Sequence, residues 1–300
     1  MSKIIIFFGT DTFSASALIA LIKADYTIGA VVTKPDSKSG RGQQLTAPLV
    51  KRIALEHNIP VWQPTKLLSI APDVQAIGGP GEVIGVLSSY GRIVPQAIID
   101  LFHPGIINIH PSLLPLYRGP SPIETAIMNG DSQTGVSIMK LTAEMDAGPV
   151  YAQELYQLDG TETAPELYET LSVLGGRMLI ETLPSIIEGS LLPSPQANAA
   201  LYCYLLTKED AVLNPATMTA VQAERQVRAY LAYPKTKLAL SSGEKNMSLV
   251  ITKAHVLVGE NDEKNYLVQF KDASVLVIDE LIGPSGKRMS GRAFKNGYAA

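Results

Sequence analysis

The chain has 300 residues, of which 46% are hydrophobic and 18% are charged, and its formal net charge is −3. This composition excludes a disordered or low-complexity chain, and the length predicts two domains or one large one. The single cysteine, Cys203, excludes an internal disulfide framework and a multi-cysteine zinc site. Since the chain also has only 4 histidines, we expect no bound metal.

Hydropathy and charge bear on where the protein works and on its partners. No apolar run reaches the roughly 18 residues of a membrane span, and the N-terminal run at residues 4–8 is too short for the core of a signal peptide. We therefore expect a cytoplasmic protein with no membrane partner. Residues 1–200 have a net charge of −6 and residues 201–300 of +3, which suggests two bodies with different partners.

Strand-like and helix-like patterns alternate in the first half of the chain. Short runs rich in β-branched and aromatic residues are typical of buried parallel strands, whereas apolar residues at steps of three and four are typical of helices. The predicted strands are 3–8, 27–33, 82–88, 106–110 and 136–141, and the predicted helices are 12–23, 46–56 and 163–187. The alternation predicts an α/β fold with a Rossmann-like, doubly wound sheet.

The longest predicted helix, 163–187, has three local signals. Thr163 and Glu166 have the spacing of a capping box at its start. Gly175 and Gly176 weaken its middle, so we expect a kink or close packing there. Pro184 should disturb the end of the helix.

The rest of the chain predicts a smaller β-domain. Residues 190–206 carry no charge and include Pro193 and Pro195, which is typical of a linker. A helix candidate at 219–231 precedes four strand-like runs joined by polar turns, at 237–241, 248–258, 266–270 and 274–281. We therefore predict a domain at 1–189, a linker at 190–206, and a small antiparallel barrel or sandwich at 207–300.

Polar side chains gather near one predicted strand end. Asn108 and His110 are two positions apart on a strand that Pro111 ends, so both side chains lie on one face, at the edge where α/β folds bind ligands. Asp146 follows another predicted strand in a Met-Asp-Ala-Gly turn. These residues are candidates for chemistry, but they could equally satisfy loop backbone groups or form an ordinary turn. The Gly9-Thr10-Asp11 loop does not match a dinucleotide-binding pattern.

Several motifs follow one another in order. They are Phe8-Gly9-Thr10, Pro35-Asp36, Gly40-Arg41-Gly42, residues 89–95, 108–115, 134–136 and 145–149, and then residues 208–211 and 284–287. Through them the chain resembles the folate-dependent formyltransferase family, most specifically through the Asn-x-His-Pro-Ser-Leu-Leu-Pro run with its downstream Asp-x-Gly. The C-terminal motifs resemble those of family members that act on a charged tRNA.

The resemblance implies transfer of the formyl group of 10-formyltetrahydrofolate to the α-amine of methionyl initiator tRNA, for translation initiation. It implies that Asn108, His110 and Asp146 are the catalytic trio, with no metal. It also implies a folate-binding segment formed by Ser112, Leu113, Leu114 and Pro115, and a pterin pocket lined by Leu87, Tyr90, Gly91, Arg92 and Ile93. The second domain would then be an OB-like β-barrel that binds tRNA.

The glycine-flanked loop around Arg41 is the candidate tRNA contact. An arginine between glycines can reach a phosphate or a base edge, and Lys38 and Gln43 lie beside it. A solvated loop is the alternative interpretation. The family usually has proline where Asp11 stands here and lysines where Gln43 and Gln44 stand. We expect the protein to act as a monomer.

Three alternatives to this function remain open. The acceptor could be an amino sugar or another small amine, in which case loss of residues 201–300 would matter little. The acceptor could be water, which would make the protein a hydrolase that releases formate without any amine. The protein could also be a non-catalytic folate- or RNA-binding module, although the presence of Asn108, His110 and Asp146 together argues against a decayed site.

Overall fold

Residues 3–39, 43–79, 81–242, 245–259 and 264–298 are described by the structure, a computed structural model. Contacts divide the chain into two compact units. The first comprises Met1–Pro122, Thr134–Gln157 and Tyr168–Cys203, and the second comprises Ile123–Gln133, Leu158–Leu167 and Tyr204–Ala300. No helix within the described ranges combines the length and the apolar character needed to cross a membrane.

The first unit is built on a 7-stranded sheet. Its strands are β1 (Ile4–Gly9), β2 (Ile28–Val32), β5 (Val61–Trp62), β6 (Val83–Ser88), β7 (Ile106–His110), β8 (Gln133–Lys140) and β9 (Val150–Gln157), and a separate hairpin consists of β3 (Ser37–Ser39) and β4 (Gln44–Thr46). The sheet order is β5-β2-β1-β6-β7-β8-β9. The first five strands in this order pair in parallel, and β8 pairs antiparallel with β7. The predicted doubly wound α/β fold is confirmed.

Helices accompany these strands, largely where the apolar spacing predicted them. They are α1 (Thr12–Lys23), α2 (Leu49–Glu56), α3 (Ala71–Ile77), α4 (Gln96–Ile99), α5 (Pro122–Asn129) and α6 (Ala164–Glu188). By their contacts, α5 after Pro122 and the first residues of α6, up to Leu167, belong to the second unit. Helix α2 begins three residues later than predicted, because Pro48 takes the N-cap position with extended backbone.

The sheet has its switch point at β1, which pairs with β2 on one side and β6 on the other. The crevice of such a fold opens there, at the carboxyl ends of the strands.

Gly175 in the middle of α6 has a packing role. A Cβ atom on Gly175 would lie 2.6 Å from Cγ2 of Ile109, so glycine lets the helix approach β7 closely. The predicted close packing is therefore confirmed. The prediction for Pro184 was wrong in its effect, since the helix continues through this residue to Glu188. At the other end, the Glu166 carboxylate accepts hydrogen bonds from the backbone N–H and the hydroxyl of Thr163.

The second unit contains the predicted antiparallel sheet. Its strands are β10 (Lys237–Ser242), β11 (Lys245–Val256), β12 (Tyr266–Gln269), β13 (Val275–Ile282) and β14 (Arg288–Ser290), with helices α7 (Ala220–Ala229) and α8 (Gly291–Tyr298). The order is β10-β11-β13-β12, and β14 pairs with β13. Helix α7 begins with a capping box between Thr219 and Gln222. Buried apolar residues such as Val227, Leu249 and Phe294 form the core under the sheet.

The segment predicted as a linker is ordered against the first unit for most of its length. Ser194 and Val150 exchange two backbone hydrogen bonds of 2.8 Å, and the N–H of Cys203 donates to the Arg118 carbonyl at 2.8 Å. Contacts assign residues up to Cys203 to the first unit. The domain boundaries at 189 and 207 remain predictions, but residues 194–203 are a structural part of the body that carries the candidate site.

Candidate active site

Three polar side chains meet at the carboxyl end of β7. Asn108 and His110 are consecutive inward positions of the strand, and both residues are only 4% exposed. Nδ2 of Asn108 lies 3.5 Å from Oδ1 of Asp146, and Nδ1 of His110 lies 3.7 Å from Oδ2 of the same carboxylate. The Asp146 side chain is 16% exposed, which leaves the cluster open to solvent on that side. The structure thus brings together the three residues predicted as the trio.

The backbone of the turn aims the Asp146 carboxylate at this cluster. Asp146 has a φ of +47°, in the left-handed region that aspartate tolerates better than most residues. Its Oδ2 accepts a hydrogen bond of 2.9 Å from the backbone N–H of Gly119. Gly148 is also needed in the turn, because a Cβ there would overlap the carbonyl oxygen of Lys140.

The two nitrogens of the His110 ring have different partners. Nε2 lies 2.9 Å from the backbone carbonyl oxygen of Tyr117. A carbonyl only accepts hydrogen bonds, so Nε2 carries a hydrogen and the neutral ring has its lone pair on Nδ1. That nitrogen is the one that faces Asp146. The ring can therefore donate toward the cluster only when it is protonated on both nitrogens.

Gln196, which the sequence did not point to, holds the Asp146 turn in place. Nε2 of Gln196 donates to the carbonyl oxygens of Asp146 and Gly148, at 2.8 and 2.7 Å. Oε1 of Gln196 accepts from Nε and Nη2 of Arg118, at 3.0 and 2.8 Å. Gln196 lies in the charge-free predicted linker, where no spacing or periodicity distinguishes it from its neighbours.

A cleft of about 370 Å³ lies beside this network. Its walls are Arg118, Ala147, Pro149, Pro195, Gln196, Ala197 and Asn198. All of these residues belong to the first unit, and two of them flank the turn that carries Asp146. Asn108 and His110 do not line it.

The predicted folate-binding segment is tied to the neighbouring strands. The Ser137 hydroxyl on β8 donates to the Ser112 carbonyl at 2.6 Å and accepts from the Leu114 N–H at 3.1 Å. Nε2 of Gln153 on β9 donates to the Leu114 carbonyl at 2.8 Å. Ser112 and Leu114 are buried, whereas Leu113 and Pro115 are half-buried. Side-chain hydrogen bonds from β8 and β9 thus fix the backbone of this segment at Ser112 and Leu114.

The end of β6 and the loop that follows it, predicted to line a pterin pocket, have a buried and an exposed part. Leu87 and Tyr90 are buried, and the Tyr90 ring packs edge-on against Phe8 at 5.8 Å between centroids. Burial also raises the pKa of the Tyr90 phenol. Gly91 and Arg92 are exposed, and Ile93 is 80% exposed. The Tyr90 side chain is thus part of the core, while Ile93 is available to a ligand.

Thr10 and Asp11, which follow β1, fix the position of the loop after β6. The Thr10 hydroxyl donates to the Tyr90 carbonyl at 2.9 Å. The Asp11 carboxylate accepts from the backbone N–H of Ser14 at 3.2 Å, which caps α1, and its other oxygen accepts from the Ser89 hydroxyl. Asp11 therefore connects the start of α1 with the loop that follows β6.

The candidate tRNA residues lie on or next to the β3–β4 hairpin. Lys38 in β3 and Gln43 before β4 are exposed, and Arg41 lies outside the described residues. At the base of the hairpin, the Lys51 ammonium lies 2.8 Å from Oδ1 of Asp36. Hydrogen bonds from Lys51 and then from Gln63 hold the pKa of the Asp36 carboxyl below its usual range.

Cys203 has the surroundings of a structural thiol. It is 5% exposed, and its Sγ accepts from the backbone N–H of Ser121 at 3.3 Å. Burial raises the pKa of the Cys203 thiol, so it is less nucleophilic near neutral pH than a free cysteine. The described part of the chain contains no cluster of histidine, cysteine, aspartate and glutamate that could hold a metal ion.

Comparison with known proteins covers almost the entire chain. Residues 2–183 match the family described as formyl transferase, and residues 205–299 match the family described as formyl transferase, C-terminal domain. Relatives include proteins named methionyl-tRNA formyltransferase from Nitratidesulfovibrio vulgaris and from Lactobacillus acidophilus. Each is 37% identical to this chain; the alignments cover 98% and 99% of this chain, and 92% and 96% of the relatives.

A solved structure shares the fold. The N-formyltransferase from Helicobacter canadensis, in complex with folinic acid and dTDP-3-aminofucose, superposes with a TM-score of 0.65 at 20% identity. The alignment covers 93% of this chain and 99% of that one. The two matched regions leave only the junction at 184–204 and the chain ends outside. With the relatives that are 37% identical over nearly the whole chain, they show that the chain belongs to the formyl transferase family.

Proposed function

We propose that this protein transfers the formyl group of 10-formyltetrahydrofolate to the α-amino group of methionyl initiator tRNA. The observation that carries the proposal is that curated relatives named methionyl-tRNA formyltransferase match it over both units, at 36–39% identity. The acceptor of this reaction is a cytoplasmic molecule, so we place the protein in the cytoplasm. The trio comes from one unit of one chain, which supports action as a monomer.

The reaction is an acyl transfer between two nitrogens. The neutral α-amine attacks the formyl carbon, a new C–N bond forms, and the carbonyl oxygen becomes an oxyanion. The bond from carbon to the folate nitrogen then breaks, and the proton lost by the amine is passed to that nitrogen. Atoms and charge balance without a metal, an oxidant or a covalent enzyme intermediate.

The trio provides the hydrogen-bond donors and the proton acceptor that these reaction steps need. The Asn108 carboxamide donates a hydrogen bond to the developing oxyanion, which is the type of interaction that contributes most to such reactions. His110 in its doubly protonated form donates from Nδ1 to the same region. The Asp146 carboxylate, 3.7 Å from that nitrogen, holds the proton in transit, directly or through a water molecule.

The folate donor would lie between two rigid segments. Leu113 and Pro115 are half-buried on a segment that Ser137 and Gln153 fix to the sheet. Ile93 offers an exposed apolar side chain that a pterin ring would cover. These surfaces fit a flat, partly apolar co-substrate, and they support the assignment of residues 112–115 and of the loop after β6 to folate binding.

The β3–β4 hairpin is the proposed tRNA contact of the first unit. Lys38 is exposed and carries no ion pair among the described residues. Lys51 is neutralised by Asp36 and contributes less attraction to phosphates. Together with Arg41 and Gln43, Lys38 would approach the acceptor end of the tRNA, and residues 207–300 would bind the remainder of it.

The decisive experiment is mass-spectrometric detection of N-formylmethionine. The full-length protein is incubated with 10-formyltetrahydrofolate and methionyl initiator tRNA, in parallel with a nucleotide-linked amino sugar and with no amine. Formylmethionine formed only with the charged tRNA supports the proposal. Formylation of the amino sugar alone, or release of formate without any amine, contradicts it and identifies the alternative acceptor.

A further inference from the structure

Gln196 uses every hydrogen-bonding position of its side chain within the protein. Its oxygen accepts from Nε and Nη2 of Arg118, at 3.0 and 2.8 Å. Its nitrogen donates to the carbonyl oxygens of Asp146 and Gly148, at 2.8 and 2.7 Å. A carboxamide has two hydrogens on nitrogen and two lone pairs on oxygen, so nothing remains for a ligand.

The orientation of this amide is determined by its partners. A guanidinium can only donate and a carbonyl can only accept, so the oxygen must face Arg118 and the nitrogen must face the turn. Arg118 is itself held by a 3.2 Å hydrogen bond from Nη1 to the Tyr202 hydroxyl. Gln196 is thus a fixed bridge between a buried cation and the two carbonyls on either side of Ala147.

The turn needs such a support. Asp146 has a φ of +47°, which costs free energy unless the surroundings compensate. Gly148 lies directly against Lys140, so the turn cannot shift toward β8. Gln196 fixes the backbone of both residues, and with it the Asp146 carboxylate that accepts from the Gly119 N–H and faces His110.

We propose that Gln196 is a positioning residue that holds Asp146 in the geometry needed for formyl transfer. It acts through the backbone of the turn, without touching either substrate. The inference rests on the proposed function, because it assigns Gln196 to the same reaction. It also explains why the predicted linker is ordered at this point: residues before Tyr204 complete the catalytic turn of the first unit.

The test replaces Gln196 with glutamate. Gln196→Glu keeps the size and the acceptors for Arg118 but loses both N–H donors and places a carboxylate against two carbonyl oxygens. We expect kcat to fall by about 10- to 100-fold, because a small misplacement of a catalytic group lowers the rate by up to about 10²-fold. KM for folate and for charged tRNA should change little. Asn198→Asp, which adds the same charge at an exposed position of the same cleft, should leave kcat near that of the wild type.

A second measurement separates positioning from general damage. In a protein that already carries Asp146→Asn, adding Gln196→Glu should change kcat by less than about twofold, because residues that act through one another are not additive. The chemical shift of the Gly119 amide, followed by NMR without any substrate, should move in Gln196→Glu and not in Asn198→Asp. This second readout is independent of the acceptor.

Each outcome decides a different question. An unchanged Gly119 amide, an unchanged kcat, or a full additional loss in the Asp146→Asn background would overturn the role of Gln196. A wild-type protein that fails to formylate charged tRNA would instead contradict the proposed function, and the amide shift would still decide whether Gln196 positions Asp146.

Discussion

The backbone carbonyl of Tyr117 determines which nitrogen of His110 is available for chemistry. Nε2 lies 2.9 Å from that oxygen and must carry a hydrogen, because a carbonyl can only accept. Nδ1 faces the Asp146 carboxylate at 3.7 Å. Any proton that His110 exchanges with the reacting groups therefore passes through Nδ1, on the side of the ring where Asp146 and Asn108 lie.

Replacing His110 with alanine should abolish most turnover while leaving folate binding. General acid–base groups typically contribute about 10²- to 10⁴-fold, and we expect a loss of kcat in this range. Single-turnover formylation and a fluorescence titration with tetrahydrofolate measure the two properties. His57→Ala, at an exposed position just after α2, is the matched control. Near-normal turnover of the His110 variant would refute its catalytic role.

Two substitutions of Asn108 should have different effects. Asn108→Ala removes one donor to the oxyanion, so kcat should fall by roughly 10²- to 10³-fold with little change in KM. Asn108→Asp places a second carboxylate about where the amide now lies, 3.5 Å from Oδ1 of Asp146. Because a neighbouring like charge disfavours the ionised form of the new carboxyl, the aspartate variant should lose stability relative to the alanine variant as the pH rises. Thermal unfolding at pH 5 and pH 8 compares them; equal stability at both would count against this contact.

Gly148→Ala should destabilise the first unit. The added Cβ would overlap the Lys140 carbonyl oxygen, so the turn must move. Strained insertions of this kind typically cost about 1–3 kcal/mol, and the displaced Asp146 should lower kcat as well. Gly297→Ala, where a Cβ meets nothing within 4 Å, is the control. Denaturant unfolding measures both; a Gly148 variant as stable as the control would show that the turn adapts freely.

Ser89→Ala should weaken folate binding without weakening helix α1. It removes the hydrogen bond from Ser89 to Asp11 but leaves the Asp11 cap on Ser14. Since one such bond contributes about 0.5–1.5 kcal/mol, we expect KM for the folate donor to rise several-fold at unchanged kcat. Asp11→Ala should raise KM similarly and also lower stability by about 1 kcal/mol through loss of the cap. An unaltered KM in both variants would show that the loop after β6 does not contribute to folate binding.

Cys203 should react slowly and should be dispensable for the chemistry. Burial raises the pKa of its thiol, so at a given pH a smaller fraction is thiolate than in free cysteine. Alkylation by iodoacetamide at pH 8 should therefore be much slower than that of glutathione and should accelerate only at higher pH. Cys203→Ala should retain formyl transfer. Rapid alkylation at neutral pH, with loss of activity, would contradict a structural role.

Much of the fold could be predicted because its signals are local. The boundaries of α1 and β7 agree with the predicted ones residue for residue, since each is a strongly periodic or strongly β-branched run with clear ends. Short elements such as the β3–β4 hairpin and α3 were missed, because a few residues carry too little periodicity. Pro184 did not end its helix, which continues to Glu188; Leu183 and Ile186 on either side of the proline are buried, and such burial outweighs the local cost of proline.

By itself, the sequence determined that Asn108 and His110 share one face of a strand end, because that depends only on the two-residue period of a strand. Tertiary structure decided that Asp146, 38 positions from Asn108, faces them, that His110 presents Nδ1, and that Gln196 from a predicted linker fixes the turn. These features depend on backbone groups brought together from distant segments. Hydrogen bonds to such groups leave no pattern in the side chains along the chain, so only the folded molecule reveals them.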